Sequence, residues 1–179
     1  MASRQIALLR GINVGRAKRV AMADLRALVE GLGYTEVRTL LNSGNVVFTA
    51  SGKAAGNTAA RIEAAISKDL GVSSRVTVLT AEELATAVAE NPLEKVATNP
   101  SRLMVAVLTN PADRSRLEPL AKQDWGSEAL ALGTRVAFLW CPEGIIESPV
   151  AKAVDRVLGD AATTRNWATI TKLHALAGG

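Results

Sequence analysis

One cysteine, one histidine and few aromatic residues in a chain of 179 set the first limits. Cys141 alone cannot form an intramolecular disulfide, and with His174 as the single histidine a Cys/His zinc site lacks ligands. No aspartate-rich loop suggests a carboxylate-held ion, so neither a metal nor a cofactor is expected. Trp125, Trp140, Trp167, Tyr34, Phe48 and Phe138 are all the aromatics, and the core must be built mainly from Leu, Val, Ile and Ala. Near the start the apolar run Ile6-Ala7-Leu8-Leu9 is too short for a signal peptide or a membrane helix. The default expectation is a cytoplasmic protein with no membrane partner.

What is present is ordinary for a globular chain: 48% apolar and 21% charged residues, with length enough for a real core. The formal charge of +4 is unevenly spread. Residues 1–26 carry Arg4, Arg10, Arg16, Lys18, Arg19 and Arg26 against Asp24 alone, which is +5 and leaves −1 for the rest. A basic segment on a nearly neutral body points to an anionic partner of limited size, or to a solvated loop with scattered charges.

The pattern of apolar residues predicts an α+β fold. Residues 6–9 read as a central strand covered on both faces. Met22, Leu25, Leu28, Val29 and Leu32 recur at helical spacing, and Gly33 fits the stop. Residues 37–41 and 46–49 read as a hairpin around Ser43-Gly44. A helix capped by Asn57, with Ile62 and Ile66 inward, runs to Gly71, and residues 76–79 close the half as a strand. The order β-α-β-β-α-β is the ferredoxin-like unit. Thr80 and Glu83 have the spacing of a capping box for a connector helix, after which residues 91–101 have linker composition.

The chain then starts again. Residues 103–108 form a second apolar run, Leu117 and Leu120 mark a helix, and alternating residues on either side of Gly133-Thr134 predict a hairpin. Ser148-Pro149 opens a further helix that Gly159 ends. The second half therefore reads as a degenerate β-α-β-β-α, with Thr163-Thr164-Arg165-Asn166-Trp167 opening a C-terminal helix where a fourth strand is due. Ile145-Ile146 is the alternative source of that strand. The expected division is residues 1–90 for the first half with its connector helix and 102–179 for the second, with a single compact unit as the alternative.

Three polar segments lie at the ends of these elements, where backbone N–H groups and fixed donors can converge on a ligand. The first is Arg10-Gly11-Ile12-Asn13-Val14-Gly15 with Lys18, between a strand and a helix. It has neither the Gly-Lys-Ser/Thr ending of a Walker loop nor dinucleotide-fingerprint glycine spacing, and glycines there also serve a tight loop. The second is Asn42-Ser43-Gly44-Asn45, whose Asn and Gly also suit positive φ angles in a turn. The third is Arg165-Asn166-Trp167, where a guanidinium and helix-end N–H groups could hold an oxyanion and the indole could stack or pack. The candidate ligand-binding set is therefore Arg10, Gly11, Asn13, Gly15, Lys18, Asn42, Ser43, Asn45, Arg165, Asn166 and Trp167. No catalytic residue is identifiable, because neither His174 nor Cys141 has a recognisable partner.

Ala7-Leu8-Leu9-Arg10-Gly11-Ile12-Asn13-Val14-Gly15, Met22-Ala23-Asp24-Leu25-Arg26, Asn42-Ser43-Gly44-Asn45-Val46-Val47-Phe48 and Thr164-Arg165-Asn166-Trp167 together resemble the bacterial domain-of-unknown-function 1697 family. Arg16 stands where the family pattern suggests another glycine. The resemblance implies two ferredoxin-like halves and carries no established activity. Three functions remain in view. Binding of a small phosphorylated or carboxylated anion fits the three segments best. An acylphosphatase-like phosphate hydrolase is the enzyme alternative, since Arg10 and Asn42 follow the order of that enzyme's arginine and asparagine. Nucleic-acid binding ranks below both, because residues 45–49 offer a single aromatic.

Overall fold

The computed structural model describes residues 2–178, with Lys53 and Ala54 described by their backbone alone. In chain order the elements are β1 (Ala2–Leu9), α1 (Met22–Gly31), β2 (Thr35–Leu40), β3 (Asn45–Ser51), α2 (Thr58–Leu70), β4 (Val76–Thr80) and α3 (Ala81–Ala89). They continue with β5 (Leu103–Leu108), α4 (Arg114–Ala121), β6 (Ala129–Leu132), β7 (Val136–Trp140), α5 (Pro149–Leu158), β8 (Ala162–Asn166) and α6 (Trp167–Leu176). Their contacts divide the chain into two units, Met1–Glu82 with Ala175–Gly179, and Glu83–His174.

The first unit is a four-stranded antiparallel sheet in the order β2-β3-β1-β4, the ferredoxin-like arrangement. β1 is central because its run from Ile6 to Leu9 has no exposed face to spend on water, and all four residues are fully buried. Ala7 and Leu9 alternate onto one face with Val46, Phe48 and Ala50 of β3, where they meet Leu25 and Val29 of α1 and Ile62 and Ile66 of α2. The apolar positions of each helix are three or four residues apart, so one stripe of each covers the sheet. Gly71 ends α2 in the left-handed region expected of a helix stop. Asn57 does stand before α2, but its backbone is left-handed and its side chain makes no capping bond, unlike the ordinary cap expected.

The second unit repeats the plan, with β6-β7-β5-β8 antiparallel throughout. Its core sets Ala106 and Leu108 of β5 with Ala137 and Leu139 of β7 against Leu117 of α4 and Val150, Val154 and Leu158 of α5. Ser148 caps α5 by accepting from Ala151 N at 3.1 Å, with Pro149 following. The missing fourth strand is β8. Residues 163–166 pair with β5 from Thr163↔Val107 to Asn166↔Met104 and do not open the last helix, which starts at Trp167. Ile145-Ile146 belongs to no strand, and Ile146 is 82% exposed. Polar residues 163–166 make a poor apolar run, but an edge strand beside β5 needs backbone pairing more than apolar side chains.

With β8 in place the two halves correspond element by element, including a helix that starts directly after the fourth strand, α3 after β4 and α6 after β8. Within the second unit, α3 is tied to β7 and its turn: Glu83 Oε2 lies 2.6 Å from Arg135 Nη1, and Glu90 Oε1 accepts from Thr134 N at 2.8 Å.

Candidate functional site

Strand direction decides what can meet in the first unit. β1 runs antiparallel to β3 and to β4, with Leu8 opposite Asn45 and Leu9 opposite Val76. The end of β1, the β2–β3 turn and the start of β4 therefore lie at one end of the sheet. The backbone closes this end: Leu9 N donates to Gly44 O at 2.9 Å and Arg10 N to Arg75 O at 2.9 Å. Ser74 Oγ donates to Arg10 O at 2.9 Å. Two of the three polar segments are thus brought together, along with the α2–β4 loop at Ser74-Arg75. That loop was not recognised in the sequence, although the reversal of direction from β1 to β4 is the signal that finds it.

Residues 10–21 form an anchored loop. Ile12 and Val20 are buried at its two ends, and Val14 bridges Ala17 in a small hairpin whose tip is Gly15-Arg16. Asn13 is its keystone. The Asn13 amide donates to Val20 O at 2.8 Å and to Asn42 O at 2.7 Å, and its Oδ1 accepts from Val20 N at 2.7 Å. Asn45 is fully buried and donates to Leu40 O and Ser43 Oγ. Both asparagines position the loops that carry the other candidates.

The backbone of these loops is unusual. Gly11, Asn13, Gly15, Lys18, Leu41 and Gly44 all have positive φ, and three of them are not glycine: Asn13 at 55°, Lys18 at 53° and Leu41 at 60°. Gly44 has no alternative. A Cβ there would stand 2.8 Å from Ile12 Cδ1 and Leu9 Cβ. Outward, Gly11, Gly15, Arg16, Lys18, Arg19, Asn42, Ser43 and Arg75 are exposed, and Arg10 is half-buried. Residues 10–21, 41–44 and 71–75 hold five cations, Arg10, Arg16, Lys18, Arg19 and Arg75, and no carboxylate.

The corresponding end of the second unit is different. β5 connects to α4 through residues 109–113, five positions against the twelve of residues 10–21, and the charge it carries is Asp113. The fold closes there without an extended loop.

Within the second unit, Arg165 lies on β8 opposite Val105, is 9% exposed, and donates to Thr164 O at 3.0 Å. Burial lowers its pKa to about 10, so it remains a cation at neutral pH. Asn166 Oδ1 accepts from Thr169 N at 2.9 Å in the first turn of α6. Trp167 packs edge-on to Phe138 with ring centroids 6.3 Å apart. Lys172 is exposed, and Cys141 is fully buried, which raises its thiol pKa.

Among the described residues no three His, Cys, Asp or Glu side chains gather, and no helix is long and apolar enough to cross a membrane. A comparison with curated proteins found no match. A solved structure of a conserved bacterial protein from Streptococcus pneumoniae is similar over 99% of each chain, with a TM-score of 0.79 and 24% identity, which establishes the shared fold. The model of a family described as a protein of unknown function, number 1697, matches residues 2–138, which include both loops of the first unit and exclude β8 and α6. With that much of its length matched, the chain belongs to the family of unknown function 1697.

Proposed function

We propose that the protein binds a small phosphorylated or carboxylated anion at the strand-end loops of its first unit. The observation that carries this reading is the contrast between the two halves. The same β-to-α connection takes five residues in the second unit, whereas in the first it takes twelve and carries Arg10, Arg16, Lys18 and Arg19 without an acid. Strained backbone and charge of one sign are costly for a fold that can close without them, and such features collect at binding sites. Arg10, Gly11, Gly15, Lys18, Asn42 and Ser43 are the groups assigned to the ligand, with Asn13 and Asn45 holding the loops. Arg165, Asn166 and Trp167 have packing and capping partners within the second unit, and the proposal does not depend on them.

The test is a thermal-shift titration with inorganic phosphate, nucleotides, sugar phosphates and carboxylates. Anions are expected to raise the melting temperature and uncharged analogues are not. Arg10→Ala should weaken the best anion by about 1.5–3 kcal/mol, the range for a charged hydrogen bond. Stabilisation by uncharged compounds alone, or by anions equally in the variant, removes the reading. Asn42 at the same strand end as Arg10 keeps an acylphosphatase-like hydrolase as the second reading. Acyl phosphate turnover abolished by Arg10→Ala would establish it.

A further inference from the structure

Two exposed aliphatic residues stand among the cations of the first unit's loops. Val14 is 70% exposed beside the hairpin tip, and Leu41 is 51% exposed in the β2–β3 turn. Neither serves the core, and Leu41 holds a left-handed backbone, φ 60°, that a leucine adopts only at a cost. The bond from the Asn13 amide to Asn42 O ties together the neighbours of both residues in sequence. Arg16, Lys18 and Arg19 are exposed alongside.

We propose that this tip docks on the surface of an anionic phospholipid bilayer, with the cations on headgroup phosphates and Val14 and Leu41 entering the interface. The inference rests on the anion-binding reading and assigns the anion to a lipid headgroup. A small soluble ligand is normally enclosed by a concave, largely pre-formed pocket, whereas here Val14 and Leu41 stand exposed in the same loops as exposed cations. An exposed aliphatic residue with exposed basic residues close by in the chain suits a flat anionic surface with an apolar interior. A single-stranded nucleic acid would call for aromatic stacking, and residues 10–21 and 41–44 contain no aromatic. An exposed aliphatic pair adds nothing to the binding of a bare phosphate.

The experiment is vesicle flotation of the whole protein with phosphatidylglycerol-containing and pure phosphatidylcholine vesicles, beside a thermal-shift titration with inorganic phosphate. Binding is expected to the anionic vesicles alone and to weaken with added salt. Val14→Ser and Leu41→Gly should each lower the partition coefficient about three- to tenfold. Both are expected to remain folded, since Val14 is on the surface and glycine takes the Leu41 backbone without strain. Arg16→Ser with Arg19→Ser should lower it further. No binding to anionic vesicles, equal binding to neutral ones, or binding unaffected by Val14→Ser and Leu41→Gly overturns the inference. So does capture of a single-stranded oligonucleotide in preference to vesicles. If phosphate stabilises the protein through Arg10 while vesicles are ignored, the small-anion reading stands and the membrane inference fails. If vesicles are ignored and neither phosphate nor the nucleotides, sugar phosphates and carboxylates of the titration bind, both fail.

Discussion

Gly44 shows how one residue can control the candidate site. Its φ of 89° and the 2.8 Å approach of Ile12 and Leu9 to a prospective Cβ leave room for glycine alone. Gly44→Ala should therefore destabilise the protein by about 2–3 kcal/mol, because a left-handed backbone is penalised and the turn is pushed off the loop. A urea midpoint close to that of the parent would show the turn to be more pliable. Cys141 makes the opposite case, a reactive residue type made inert by its surroundings. Burial raises its thiol pKa, with the nearby Glu128 charge acting the same way and a bond with Ser148 opposing it. The thiolate is depleted at neutral pH, so thiol reagents should label the native protein slowly and the urea-unfolded chain fast. For Arg165 the folded-state pKa of about 10 lies below its ordinary value. The folded state holds that proton less tightly, so the burial penalty is relieved only as pH rises through about 10 towards the ordinary arginine range. Around neutrality it adds no pH dependence.

At the scale of elements, the two halves provide an internal control. Residues 10–21 and 109–113 make the same connection in the same topology, so the difference in length and charge is separable from the fold. Replacing residues 14–17 by Asn-Gly, a two-residue hairpin loop, together with Lys18→Asn and Arg19→Ser, should preserve the sheet. Loop-closure entropy changes by well under about 1 kcal/mol for such a trim. Anion-dependent stabilisation should be lost while the melting temperature without ligand stays near that of the parent. A large fall in that temperature would mean that the loop serves the fold and not a ligand. Much of this element structure was legible in the chain. The unbroken apolar runs at β1 and β5 mark strands buried on both faces, and the Ser148-Pro149 and Gly159 pair delimits α5. β8 was not legible, because Thr163, Thr164, Arg165 and Asn166 have a helix-start composition and their strand state comes from hydrogen bonding to β5.

For the whole molecule, charge is the property with a long reach. The net +4 is concentrated in the first unit's loops on an otherwise nearly neutral chain. Exposed cations attract an anion over a distance set by salt, so binding should weaken steadily as the screening length falls from about 30 Å to about 8 Å. Affinity that is flat across that range would place the anion against buried groups such as Arg165 and not on the exposed loop.

Local sequence was sufficient for whatever depends on neighbours along the chain: apolar periodicity, helix stops at Gly33 and Gly71, the repeated β-α-β-β-α order, and the cationic bias of residues 1–26. It was also sufficient for family membership, because motif residues are read one by one. Convergence was beyond it. Arg10, Asn42 and Arg75 are far apart in sequence, and only the antiparallel directions of β1, β3 and β4 bring their loops to one end of the sheet. The structural work of Asn13 was equally hidden, since an asparagine between glycines has the composition of a ligand loop whether its amide faces outward or ties two loops together. Side-chain partners are chosen by packing in three dimensions, and no spacing in the chain records that choice.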